Sequence, residues 1–322
     1  MYYSKFCAFH GTYENRIIYN MKKIVKWGLI IFWGLIGIFL CAVLLNSYRF
    51  RRPSYLSAQE KLVVSGYVPH IIVRELLGAS VPVLQLLPPG TEPHSFEPTP
   101  GALVQLKNAT AFIYVSDELE PWAADLAKAA GSRTRVLQLA TLVSSSQDPH
   151  IWMDLGKMQT LFAQTAEMLC EIYPKDCEKI RHNRDKSIKQ IERLKREFAD
   201  TLTTCKYNKV VHIGHLAFKN LLTPYGIDLI SLSGTSHEGE HSVKKIVQII
   251  GLVQTYHIPA IFTEETLSTR LAQSVVDETG VEIVKLYPVE YVSKQDFDHQ
   301  VSYIDLMHRN LESLKRGLQC PA

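Results

Sequence analysis

The sequence lacks any long run of basic residues in its body, and its formal net charge is only +3. Because proteins that bind nucleic acid carry clustered Lys and Arg, nothing in the chain indicates a nucleic-acid partner. Six cysteines are present, and none has the CxxC spacing of a metal knuckle. Hydrophobic residues make up 46% and charged residues 21% of the 322 residues. These fractions are typical of a globular protein, and the length allows two domains.

The first fifty residues differ from the rest because they contain a long uncharged stretch. Nineteen residues without a charge, Trp27–Leu45, follow the basic pair Lys22 and Lys23. This pattern predicts a signal peptide or a membrane anchor over residues 21–47, with a tether through residues 24–46 if the segment is retained. Residues 1–20 would then be an upstream extension. Export permits disulfides among four cysteines whose pairing is left open: Cys170, Cys177, Cys205 and Cys320.

Short apolar runs alternate with amphipathic stretches from Lys61 onwards. This alternation predicts an α/β fold built of crossover units with mainly parallel sheets. Eight strand-like runs fall into two sets of four, which predicts two (β/α)4-type lobes. The predicted strands are Leu62–Val68, Val81–Leu87, Ala111–Val115, Arg135–Leu139, Lys209–Ile213, Ile227–Leu232, Ala260–Thr263 and Glu282–Leu286.

A long helical region separates the two sets of strands. One helix is predicted over Leu155–Tyr173 and a second over about residues 176–204, while a final helix is predicted from about Phe297. In the second helix apolar residues recur every three or four positions and the opposite face is charged, which indicates a rigid linker laid along both lobes. The predicted organisation is an N-terminal lobe over residues 57–175, a linker helix over residues 176–204 and a C-terminal lobe over residues 205–322.

Three histidines follow predicted strand ends. His94 lies after the second strand in the proline-rich loop Leu87–Pro100, His150 follows the fourth strand, and His215 follows the fifth. Because ligands bind beyond the carboxyl ends of the strands in open α/β sheets, the three imidazoles are expected to meet in the crevice between the lobes. Three His with an open or carboxylate fourth position fit zinc best among the metals that imidazole binds.

Other interpretations of these and other histidines remain open. His150 could instead be a helix-capping residue, because Asp148 and Pro149 form a good helix start. His212 alternates with His215 and is expected to point into or beside the sheet. His237 and His241 lie in a short polar segment that is more simply interpreted as a solvated loop.

Several segments together resemble one family. Three parts of the chain are similar to the three ligand motifs of the metal-binding periplasmic solute-binding proteins of zinc and manganese ABC importers. They are the loop Pro88–Pro100, the segment Asp148–Asp154, and Gly214–Phe218 followed by Pro224–Ile227. The resemblance extends over about residues 60–318. Its last crossover and closing helix correspond to Ile261–Glu265, Asp277–Gly280 and Tyr303–Leu311.

The resemblance implies two α/β lobes joined by one rigid helix, with the metal held between them by His94, His150 and His215. Many members place an aspartate after the last strand as a fourth ligand, where this chain has Tyr287. The fourth position is therefore left open between water, Glu92, Tyr287 and Glu290. A neutral phenol is a poor ligand for the hard Mn ion, and manganese binders tend to have a carboxylate where His215 lies, so both differences favour zinc.

The function implied is capture of zinc, with manganese or iron as alternatives. The protein would be a monomer in the periplasm or on the outer face of the cytoplasmic membrane, and it would deliver metal to an ABC permease with its cytoplasmic ATPase. Affinity is expected to fall as pH drops through the imidazole range, near ~6.5. The rival functions are a surface adhesin and a zinc hydrolase, in which Glu92 or Glu265 would serve as the base.

Overall fold

The structure is a computed structural model that describes residues 61–78, 81–144, 148–231, 243–264 and 270–321. The predicted extension, the predicted signal or anchor segment, and the His237–His241 segment lie outside the described residues. Within the described part of the chain, no helix combines the length and the apolar character needed to cross a membrane.

Two four-stranded sheets form the centre of the fold, and every strand pairing in them is parallel. The strand order is β2-β1-β3-β4 in the first sheet and β6-β5-β7-β8 in the second. This confirms the predicted α/β fold with two parallel lobes. The strands are β1 (Leu62–Val64), β2 (Val83–Gln85), β3 (Ala111–Tyr114), β4 (Arg135–Gln138), β5 (Lys209–Ile213), β6 (Asp228–Ser231), β7 (Ala260–Glu264) and β8 (Glu282–Leu286).

Helices connect the strands and cover the sheets. In the N-terminal half they are α1 (Tyr67–Leu77), α2 (Pro100–Lys107), α3 (Pro121–Lys128), α4 (Leu155–Ile172) and α5 (Cys177–Leu202). In the C-terminal half they are α6 (Lys219–Leu222), α7 (Val243–Tyr256), α8 (Arg270–Thr279), α9 (Lys294–Asp298) and α10 (Tyr303–Gly317).

Two of the predicted elements differ from the observed ones in type or number, and not only in their ends. The strand predicted over Leu62–Val68 ends at Val64, and the apolar run continues as the buried face of α1. A continuous apolar run cannot by itself distinguish a buried strand from a buried helix. The final helix is divided in two, because Gln300 has a left-handed backbone (φ 54°) and a capping box at Ser302 begins α10 anew.

One continuous apolar core joins the two lobes. It includes Ile113 of the first sheet, Phe198 of α5, Phe262 of the second sheet and Leu314 of α10, all nearly or fully buried. The long helix α5 packs against α1, α4 and α10, so it contacts helices from both halves of the chain, as expected of a rigid linker. The shared core places the carboxyl ends of both sheets at one interlobe crevice.

Two disulfides join elements near the linker. Cys170 pairs with Cys177, which ties the end of α4 to the start of α5, and Cys205 pairs with Cys320, which ties the chain beyond α5 to its C-terminal end. The pairing that the sequence left open is thus between near neighbours in one case and across 115 residues in the other.

Candidate metal centre

His94 is held by its loop rather than by a helix or strand. The Glu92 carboxylate accepts hydrogen bonds from the backbone N–H groups of His94 (2.9 Å) and Ser95 (3.0 Å). The Trp122 indole donates to the carbonyl of Pro93 at 2.9 Å. Burial lowers the pKa of His94, so the ring favours its neutral form, in which a nitrogen lone pair is available for a ligand.

His150 is fully buried and is oriented by the residue two positions before it. Oδ1 of Asp148 lies 2.7 Å from Nδ1 of His150 and accepts from its backbone N–H at 3.0 Å. Burial works to lower the pKa of His150, but its contacts with Asp148 and Glu290 outweigh burial and raise the pKa. His150 stands at the N-cap position of the short 3-10 helix Ile151–Met153, but its side chain makes no capping hydrogen bond, and α4 is capped by the side chain of Asp154.

His215 follows β5, and like His150 it is oriented by one carboxylate oxygen that contacts both its ring and its backbone. Oε1 of Glu264, at the end of the adjacent strand β7, lies 2.8 Å from Nδ1 of His215 and accepts from its backbone N–H at 3.0 Å. Tyr291 in turn donates its hydroxyl to the other oxygen of Glu264. Burial works to lower the pKa of His215. The charge of Glu290 and the hydrogen bond with Glu264 raise it by more, so that the pKa lies well above the usual value.

Glu290 completes a cluster with the three histidines. Its carboxylate oxygens lie 3.1 Å from Nε2 of His215 and 3.4 Å from Nε2 of His150. The two Nε2 atoms are 3.1 Å apart, and the His94 ring lies edge-on to both rings, with centroids 5.7 and 5.9 Å away. One ligand atom from each of the four residues lies within 4.8 Å of the others.

The cluster has the dimensions of a zinc site. In a tetrahedral site with bonds of ~2.1 Å, neighbouring ligand atoms are ~3.4 Å apart. Among the described residues, Nε2 of His94 is buried without a hydrogen-bond partner. Both oxygens of Glu290 are likewise buried, and they face the Nε2 atoms of His150 and His215. Burial works to raise the pKa of Glu290, but the neighbouring His215 and His150 lower it strongly, so the carboxylate is ionised. A bound cation would satisfy these atoms.

A family model for the periplasmic component A of zinc-uptake complexes, ZnuA, matches residues 62–317. The chain belongs to the ZnuA family. The zinc-binding protein AdcA of Streptococcus pyogenes is 26% identical over 285 residues, which cover 79% of this chain and 55% of that protein. The chain therefore spans about half the length of this curated relative.

Solved structures of the ZnuA type have the same fold. The Zn(II)-bound ZnuA-like domain of Streptococcus pneumoniae AdcA has a TM-score of 0.73 at 26% identity, over 80% of this chain and 98% of that one. The laminin-binding protein Lmb of Streptococcus agalactiae, described as a bifunctional protein with adhesin and metal transporting activity, has a TM-score of 0.73 at 25% identity, over 80% and 99% of the two chains. The resemblance to metal-binding solute-binding proteins that the sequence motifs indicated is thereby confirmed.

The structure separates the three residues predicted for the fourth position. Glu290 lies in the cluster. Glu92 binds the backbone of its own loop, and its carboxylate is 3.9 Å from Nε2 of His94. Tyr287 lies outside the cluster, with its ring 5.4 Å from the Arg309 guanidinium. Of these three residues, the one whose carboxylate lies in the cluster is therefore three positions beyond Tyr287.

Of the remaining histidines in the sequence prediction, only His212 lies among the described residues, and it does not join the cluster. His212 is buried with its ring 5.0 Å from that of Phe218, beside the sheet as expected. His237 and His241 lie outside the described residues, as does Glu265. The sequence from His237 to His241 also fits the H-E-x-x-H pattern of helical zinc proteases, a pattern that gains meaning only on a helix.

Sequence reasoning missed the carboxylates behind the imidazoles. Asp148 was interpreted as part of a helix start, and Glu264 was recognised only as part of a crossover. The sequence places Glu264 directly after the predicted strand Ala260–Thr263, but only the structure shows that β7 pairs with β5 and that the two strands end together. A carboxylate at the end of one parallel strand is thereby placed beside a histidine at the end of its neighbour.

Proposed function

We propose that this chain captures zinc outside the cytoplasm with His94, His150, His215 and Glu290 and delivers it to an ABC permease. The observation that carries this proposal is the convergence of these four side chains from both lobes onto one buried point. Membership of the ZnuA family and similarity to a Zn(II)-bound ZnuA-like domain support it. Disulfides form in oxidising compartments, so the two disulfides support an extracytoplasmic location.

The choice of zinc over manganese or iron rests on the ligand set. Three imidazoles and one carboxylate provide mainly nitrogen ligands, which suit zinc, whereas manganese prefers oxygen-rich coordination. The same ligand set disfavours the hydrolase, because a catalytic zinc keeps one position for water, whereas Glu290, 3.1 Å from Nε2 of His215, would fill the fourth position.

Zinc binding can be tested on the full chain purified without added metal. We expect zinc to be the metal present, to compete successfully with manganese, and to raise the melting temperature. At a zinc concentration a hundredfold above Kd, the free energy of unfolding should increase by about 2.7 kcal/mol. His94→Ala and Glu290→Ala should each reduce this shift. His308→Ala is the matched control, because His308 is an exposed histidine bound to Glu197. Absence of any zinc-dependent shift, with His94→Ala behaving as wild type, would contradict the proposal.

Adhesion is a second candidate because Lmb, a neighbour with the same fold, is described as having adhesin activity. The full chain can be tested for binding to immobilised laminin, with and without zinc. Saturable binding would add adhesion to metal capture, and its absence would leave capture as the function.

A further inference from the structure

The backbone that carries Glu290 is held by side chains from both lobes. Asn310 of α10 accepts from the N–H of Tyr287 and donates to its carbonyl, both at 2.8 Å. The indole N–H of Trp152 donates to the carbonyl of Pro288 at 2.7 Å. Trp152 comes from the other half of the chain, 136 residues away, and follows His150 by two positions.

Between these attachments and Glu290 the backbone takes an unfavourable conformation. Val289 has φ 69° and is fully buried. A left-handed backbone is rare for a β-branched residue and persists only where the surrounding structure enforces it. The bonds to Tyr287 and Pro288 provide that enforcement, and the resulting turn is what brings the next residue, Glu290, into the cluster.

Trp152 has further contacts that tie the two lobes together at the cluster. Its own carbonyl accepts from the Tyr303 hydroxyl at 2.7 Å, and its ring lies against the His150 ring with centroids 5.3 Å apart. Trp152 and Tyr303 are both fully buried. The same residue therefore contacts one cluster histidine and holds the backbone of the cluster carboxylate.

We propose that Trp152 is a positioning residue for metal capture, which holds Glu290 in place through the carbonyl of Pro288. The inference rests on the proposed function, because it assigns to Glu290 a place among the zinc ligands. Removal of the indole N–H lets the strained turn at Val289 relax and moves the carboxylate away from the three imidazoles. Loss of a group that supports a metal ligand lowers affinity by ~10–100-fold.

The test is a double-mutant cycle on zinc affinity in the full chain. Trp152→Phe removes the N–H and keeps an aromatic ring beside His150, and we expect it to weaken zinc binding ~10–100-fold. In a Glu290→Ala background the same substitution should change the remaining affinity by no more than about twofold, since its effect passes through Glu290. A purely structural role would lower affinity by the same factor in both backgrounds, and that result would overturn the inference.

Trp122→Phe is the matched control. Trp122 also donates its indole N–H to a proline carbonyl, that of Pro93 beside His94. Its effect on zinc affinity should therefore persist in the Glu290→Ala background, whereas that of Trp152→Phe should vanish.

Asn310→Asp provides a second route to the same test if Trp152→Phe folds poorly, as judged by circular dichroism of the metal-free protein. It keeps the acceptor for the Tyr287 N–H and loses the donor to the Tyr287 carbonyl. Its effect on affinity should likewise disappear when Glu290 is absent, and an undiminished effect overturns the inference. Failure of the wild-type chain to bind zinc would instead overturn the proposed function itself.

Discussion

At the scale of single residues, the carboxylates behind the imidazoles determine which nitrogen faces the cluster. Asp148 and Glu264 each lie within 2.8 Å of an Nδ1 atom, on His150 and His215 respectively. A neutral imidazole whose Nδ1 donates to a carboxylate presents the lone pair of Nε2. The two Nε2 atoms therefore face each other and Glu290, which is the arrangement that a metal ion requires.

Gly214 lies where any side chain would disturb this arrangement. A Cβ atom at this position would lie 2.6 Å from Cε1 of His212 and 3.0 Å from Cδ of Glu264, and the backbone has φ 154°. Gly214→Ala should displace the Glu264 carboxylate and with it the His215 ring. We expect a loss of zinc affinity of about tenfold or more, measurable by competition with a chelator. Unchanged affinity would show that Glu264 does not position His215.

Zinc binding should release protons, because the pKa values of His150 and His215 are raised. A raised histidine pKa stabilises the metal-free fold below ~6.5 and loses that contribution as pH rises through the higher folded value. Affinity for zinc should change in the opposite direction, increasing with pH until both rings are deprotonated. The zinc-induced rise in melting temperature should thus be larger at about pH 8 than at about pH 5.5. A rise that does not depend on pH would contradict this expectation.

Glu120 is a buried carboxyl that no ligand prediction included. Burial raises its pKa from 4.5 to about 7, against the hydrogen bond that it accepts from the N–H of Val115. The contribution of its neutral form to stability is complete below pH 4.5 and is lost as pH rises through 7. Glu120→Gln should remove this dependence and stabilise the metal-free protein at about pH 8, by on the order of 3 kcal/mol. Urea unfolding of the wild type and of Glu120→Gln at two pH values measures this difference in stability. If the stability of both proteins changes equally with pH, the raised pKa of Glu120 is excluded as its cause.

At the scale of elements, the site depends on how strands end and how closely helices approach them. His215 and Glu264 meet because β5 and β7 pair in parallel and end together. Helix α10 lies so close to β7 that Gly317 packs directly on the ring of Phe262. The same helix carries Asn310, which fixes the backbone before Glu290, so its distance from the sheet also determines the position of that carboxylate.

Two glycines in helices should respond oppositely to alanine. A Cβ atom at Gly317 would lie 2.8 Å from Cε1 of the buried Phe262, whereas one at the exposed Gly251 of α7 meets nothing within 4 Å. Gly317→Ala should destabilise the protein by about 1–3 kcal/mol through overpacking. Gly251→Ala should stabilise it by up to about 1 kcal/mol through helix propensity. Thermal unfolding of both variants measures the contrast, and stabilisation by Gly317→Ala would contradict the close packing of α10 on β7.

At the scale of the whole molecule, the lobes share one apolar core and are connected through the linker helix. Phe198 of α5 and Phe262 of β7 belong to the same buried cluster as Ile113 of β3. Polar contacts add to this core at the crevice, where Asn220 donates to the carbonyl of His150 at 3.0 Å. The cluster side chains from the two lobes are thus brought together by protein contacts alone.

The two disulfides should contribute unequally to global stability. In the loop-entropy model, the bond Cys205–Cys320, which spans 115 residues, contributes about 5 kcal/mol, and Cys170–Cys177, which spans 7, about 2.5 kcal/mol. Replacing each pair by Ser should lower the free energy of unfolding in that order, as measured by urea denaturation. A larger loss from the short-range pair would indicate that native packing, rather than loop closure, determines the difference.

Much of the fold was predictable because its signals are local. Alternating strand-like and helical runs indicated two parallel sheets, and β5 and β8 have the predicted bounds. The positions of His94, His150 and His215 after strand ends were sufficient to expect their convergence, since all parallel strands of a sheet end at one edge. The Leu62–Val68 run failed because hydrophobicity alone does not separate a strand from a buried helix.

The sequence by itself determined the fold class, the long helix between the lobes and the three histidines at strand ends, because periodicity and turn residues record local preferences. Only the tertiary structure placed Glu290, rather than Glu92 or Tyr287, in the cluster, paired the cysteines, and placed Asp148 and Glu264 behind the imidazoles. Most of these outcomes depend on contacts between distant residues, such as the bond from Trp152 to Pro288 across 136 positions. No local sequence signal predicts a left-handed backbone at Val289. The position of the Glu290 carboxylate, which follows this turn, is therefore determined only when both lobes are packed together.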